Sequence, residues 1–98
     1  MNHEQFLLIK LAEECNEVAQ QALKSAQFGL GKFYVPIGKS NAVRLVEELN
    51  DMIAILSMME EHGYFSFDCS EELIYHKKKK VREFLQYSVD LGKVNLMQ

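Results

Sequence analysis

The chain has 98 residues, 48% of them apolar, and a formal net charge of −3. That suffices for one domain with a modest core, and so small a charge gives no ground for a nucleic-acid polymer as partner. No apolar run reaches the roughly 18 residues that span a bilayer. The opening Met1-Asn2-His3-Glu4 lacks the basic region of a secretory signal, and Cys15 and Cys69 are too few for a disulfide framework. A cytoplasmic protein without a membrane partner is expected.

Residues 3 to 28 keep a helical period with no breaker, and Gly29 is placed to stop the helix. Its apolar stripe is expected to run Leu8, Leu11, Cys15, Val18, Ala22, Ala26, with Cys15 acting as a small hydrophobe. Gly29 to Ser40 holds three glycines and the only proline, Pro36, and reads as a loop. Ser40 or Asn41 can cap a second helix that runs to about His62 and stops at Gly63. Asp68 with Glu71 approximates a capping box for a third helix, which runs to about Asp90 and ends at Gly92. No segment alternates as a strand. The expected fold is all-α, a helical bundle of long helices forming a single domain over residues 1–98. The run Met52 to Met59 is apolar on nearly every side and reads as buried, which three helices cannot achieve alone. Homo-oligomerisation is the simplest way to complete the bundle.

Two acidic clusters carry the chemistry. Glu13-Glu14-Cys15-Asn16-Glu17 lies on the first helix and Glu47-Glu48-Leu49-Asn50-Asp51 on the second. Each sets carboxylates three and four residues apart, on one face of a helix. Two such faces brought together make a cage of oxygen ligands suited to a hard divalent cation such as Mg²⁺. Glu48 leads into the stripe Met52, Ile55, Met59, and Asp51 into Ile55 and Met58. A carboxylate at the mouth of an apolar region requires a cation or a proton. Paired acids on a helix are otherwise a solvated face, here with Lys10, Lys24 or Arg44 as ion partners.

Lys77-Lys78-Lys79-Lys80 lies inside the third helix, where consecutive residues point about 100° apart. The stripe Leu73, Lys77, Lys80, Phe84 makes Lys77 and Lys80 the candidates for holding phosphate, against a solvated basic run. His3, His62 and His76 have no metal-ligand spacing. Gly29-Leu30-Gly31 and Gly38-Lys39-Ser40 complete no phosphate loop. Phe28, Phe33 and Tyr34 are either base-stacking residues or loop anchors.

With these elements placed, the chain resembles the MazG-like, all-α nucleoside triphosphate pyrophosphohydrolases over about residues 5 to 90. Glu13-Glu14-Cys15-Asn16-Glu17 stands for that family's E-E-x-x-E, and Glu48-Leu49-Asn50-Asp51 for its E-x-x-D. Asn50 takes the place of a glycine often found there, and the linker between the motifs is somewhat long. The resemblance implies Mg²⁺-dependent (or Mn²⁺-dependent) cleavage of the α–β phosphate bond of a nucleotide, releasing a monophosphate and pyrophosphate. It implies Glu14, Glu17, Glu48 and Asp51 as metal ligands, with Glu13 and Glu47 as general base or outer shell. It implies lysines of the third helix, Lys77 and Lys80, on the phosphates, and a homodimer or dimer of dimers. A related enzyme, phosphoribosyl-ATP pyrophosphohydrolase, shares the scaffold. Against both stands a non-catalytic helical interaction module, in which the apolar second helix serves assembly alone.

Overall fold

The computed structural model describes residues 1–97. It is mostly helical, with α1 (His3–Phe28), a two-stranded hairpin of β1 (Phe33–Tyr34) and β2 (Lys39–Ser40), α2 (Asn41–Glu61) and α3 (Glu71–Asp90). Residues 1–67 form one compact unit and a second begins at Asp68.

In the first unit α1 and α2 pack against each other and run antiparallel. Gln21, late in α1, bonds Asn41 at the start of α2, while His3, at the start of α1, meets Tyr64 beyond the end of α2. The packed seam follows a seven-residue period. On α1 the buried or half-buried positions include Leu7, Leu11, Glu14, Val18, Gln21 and Ser25, and on α2 they include Asn41, Leu45, Glu48, Met52, Ile55 and Met59. This is the a/d spacing of two long helices in contact, yet only Leu7 and Met59 are buried apolar residues among the described ones.

The seam corrects one expectation. Of the expected stripe, Leu11 and Val18 lie in the seam, while Leu8, Cys15, Ala22 and Ala26 are exposed. Glu14, Gln21 and Ser25 share the seam with Leu7, Leu11 and Val18, so the hydrophobic stripe lay partly to one side of the packed face. Within the chain Val46 and Ile53 of α2 remain more than half exposed, because one neighbouring helix covers one face only.

The helix ends follow their chemistry. Asn2 and Gln5 form a reciprocal capping box on α1. Gly29 closes that helix at a φ of 96°, a conformation that favours glycine. The Ser40 hydroxyl accepts from Val43 N at 3.2 Å to cap α2. The expected loop contains a short antiparallel hairpin, with Phe33 opposite Ser40 and Tyr34 opposite Lys39. Strands of two residues are too short to show an alternating pattern in sequence. The hairpin continues where Asn41 N and Ala42 N donate to Lys32 O and Leu30 O, each at 2.9 Å.

The second unit holds α3. Its cap is Ser70, whose hydroxyl accepts from Leu73 N at 3.2 Å, rather than the expected Asp68. Ser70 is the residue immediately before the helix, the position from which a short side chain reaches the third helical amide. Glu71 and Glu72 complement the positive end of the helix. No residue of α3 is buried. No helix among the described residues is long and apolar enough to cross a membrane.

Asn41 ties the first unit together. It is fully buried, accepts from Gln21 Nε2 at 3.0 Å and donates to Gly29 O at 2.9 Å. Asn41→Ala leaves a buried amide and a carbonyl unpaired, which should cost about 1–3 kcal/mol. Urea unfolding checks this, and an unchanged midpoint would contradict it.

Candidate functional site

The seam brings acids from both clusters together. Glu14 lies seven residues after Leu7 and seven before Gln21, so it shares their side of α1 and faces α2. Glu48 lies seven after Asn41 and occupies the same seam from the other helix, with Asp51 beside it one turn on. One carboxylate oxygen from each of Glu14, Glu48 and Asp51 lies within 4.8 Å of the other two. No other group of three His, Cys, Asp or Glu side chains among the described residues is gathered in this way.

Glu14 and Glu48 are half-buried and Asp51 is exposed. The Glu48 carboxyl is pushed above its ordinary value of 4.5, first by burial and then by the negative charges of Glu17, Asp51 and Glu14, with Arg44 acting the other way. Among the described residues none of the three acids is in an ion pair. Oxygens on opposite sides of a hard divalent cation stand about 4–5 Å apart. The spacing, the oxygen donors and the uncompensated charge therefore fit such an ion.

The remaining acids are placed differently. Glu17 is close enough to raise the Glu48 carboxyl but stands outside the group of three. Glu13 is paired with Lys10 at 3.1 Å on the surface of α1. Glu47 is paired with Lys39 at 2.7 Å. Lys77 and Lys80 are exposed on α3, in the second unit.

An open cleft of about 460 Å³ adjoins the acids, lined by Ile37, Lys39, Arg44, Glu47, Glu48 and Asp51. Arg44 holds its guanidinium over the Tyr34 ring, 5.6 Å from the centroid. Tyr34 is thus an anchor of the hairpin. The sequence reading gave Arg44 and Lys39 no part in binding. A signal for Arg44 was there, since it lies four residues before Glu48 on the same helical face. Lys39 had none, because its position depends on the hairpin. Comparison with known protein families, with curated proteins and with solved structures gives no match.

The raised Glu48 carboxyl has a consequence for stability. Ionising Glu48 opposes folding, so its stabilising contribution is complete below the ordinary value of 4.5 and is lost as pH rises through the raised one. Glu48→Gln should remove that loss. In EDTA the variant should melt higher than the parent at neutral pH, with a flatter profile as pH rises above the ordinary value of 4.5. A lower melting temperature for Glu48→Gln at neutral pH would contradict this.

Proposed function

We propose that this chain is a divalent-cation-dependent nucleotide pyrophosphohydrolase of the MazG-like kind. It would split the α–β phosphate bond of a (deoxy)nucleoside triphosphate into a monophosphate and pyrophosphate. The observation that carries this reading is the convergence of Glu14 from α1 with Glu48 and Asp51 from α2. These are residues of the two motifs that carry the resemblance. Glu14, Glu48 and Asp51 hold the cation, with Glu17 beside them as a fourth ligand or as the acceptor of the attacking water's proton. Glu13 and Glu47, each engaged with a lysine, are left an outer role. When bound, Mg²⁺ or Mn²⁺ supplies charge neutralisation and Lewis acidity for the phosphate chain.

A nucleotide panel assayed for pyrophosphate release tests this. Activity should require Mg²⁺ or Mn²⁺ and vanish in EDTA, and Asp51→Asn should lower kcat/KM by about 100-fold or more while the protein stays folded. Turnover in metal-free buffer, or near-normal turnover by Asp51→Asn, would sink the assignment.

The second element of the proposal is a homodimer or dimer of dimers, built on the face of α2 that α1 leaves open. Val46, Leu49 and Ile53 lie there at helical spacing and are exposed. This patch also suits the rival reading of a non-catalytic interaction module, which predicts no thermal shift with Mg²⁺. Light scattering at micromolar concentration should give at least twice the chain mass. A lone species of 11.3 kDa would refute the oligomer.

A further inference from the structure

The cleft beside the carboxylates holds both signs of charge, and its cationic half comes from Lys39 of the hairpin and Arg44 of the first turn of α2. Tyr34 and Lys39 are directly opposed across the hairpin. Opposed residues of an antiparallel pair project from the same face. Lys39 meets Glu47, and Tyr34 meets Arg44. Arg44 and Glu47 are themselves neighbours three residues apart on α2. Two hairpin residues are thus matched to two helix residues, and the helix stripe continues from Arg44 to Glu48 and Asp51.

We propose that the β1–β2 hairpin is the anion-binding wall of this cleft. Lys39, and Arg44 braced by Tyr34, take the phosphate oxygens of a magnesium polyphosphate, while the carboxylates take its cation. The inference rests on the cation-dependent reading above and adds the other half of the ligand.

Arg44 enters no ion pair among the described residues, although Glu48 feels its charge. The Tyr34 ring, 5.6 Å from the guanidinium carbon, attracts the charge without using its N–H groups, which stay free to donate to a phosphate. Lys39 is engaged, but only in a pair whose side chains are 44% and 46% exposed. Such a pair is weakly held. A terminal phosphate group, with more total charge than the Glu47 carboxylate, can replace it as the acceptor. Lys39 and Glu47 then part as the ligand enters. A polyphosphate carrying Mg²⁺ matches this order of charges, and a single phosphate reaches only the cationic end.

The test is calorimetric titration of the full chain with inorganic tripolyphosphate in Mg²⁺, with circular dichroism to confirm that each variant folds. Lys39→Gln should weaken binding by about tenfold, the loss of a charge-assisted hydrogen bond. Tyr34→Leu should weaken it less, since Arg44 keeps its charge and loses its brace. Should that variant misfold, Tyr34→Phe keeps the ring and should bind as the parent does. Glu47→Gln should tighten binding by freeing Lys39. Lys79→Ala, on the exposed basic run of α3, is the control and should bind as the parent does. Parental affinity in both Lys39→Gln and Tyr34→Leu would overturn the proposal, as would an equal loss in Lys79→Ala. Tripolyphosphate binding with no pyrophosphate released from any nucleotide would defeat the hydrolase and leave the wall standing. Hydrolysis with unaltered affinity in the hairpin variants would defeat the wall alone.

Discussion

Charge in a helix seam is the constraint on which the first unit turns. Two long antiparallel helices ordinarily bury leucine at seven-residue intervals. Here the corresponding positions hold Glu14 on one helix and Glu48 on the other, with Asp51 alongside. Each half-buried carboxylate loses solvation and meets its neighbours' charge, and the raised Glu48 carboxyl expresses both effects. Apolar residues of similar size would pack there without that penalty. The arrangement makes physical sense as a site kept short of positive charge until a cation or a cation-bearing ligand supplies it.

Such a site needs its helices in register, and the register is set at the ends of the pair. Near one end, buried Asn41 joins buried Gln21 to the carbonyl of Gly29. Near the other, the rings of His3, His62 and Tyr64 lie against one another, with His3 Nδ1 and Tyr64 Oη 2.7 Å apart. A slip of one residue along either helix would break these contacts. It would also turn Glu14 away from Glu48, because one residue is about 100° of rotation. The hairpin belongs to the same arrangement. It places Lys39 and Tyr34 over the first turns of α2, next to the acids.

Much of this was readable beforehand, and the misreadings have physical causes. The helix bounds were legible because Gly29, Ser40 and Gly63 punctuate the chain, and the stripe Glu48, Met52, Ile55, Met59 was read in its true orientation. On α1 the inward face was partly misread. Leu11 and Val18 line it as expected, but so do Glu14, Gln21 and Ser25, while Leu8, Cys15 and the alanines are exposed. A periodicity built on hydrophobicity follows the greasier stripe, even where polar groups find their partners in the packed interface. The gathering of carboxylates from two helices was anticipated from their matched spacing. Of the four acids expected as ligands, Glu14, Glu48 and Asp51 meet; that Glu17 stands outside the three depends on the crossing of α1 and α2. Lys39 was out of reach because strands of two residues leave no pattern.

The central claim is that the two helices together hold a divalent cation among Glu14, Glu48 and Asp51. Paramagnetic broadening of the amide NMR signals of the labelled chain by substoichiometric Mn²⁺ reads this most directly. Signals from the middle of α1 around Glu14 and from the turn Glu48–Asp51 of α2 should vanish first and together, and return when excess Mg²⁺ is added. Those of the His3–His62–Tyr64 end should persist. Broadening spread over surface acids such as Glu4, Glu61 and Asp90, without preference for the seam, would contradict it.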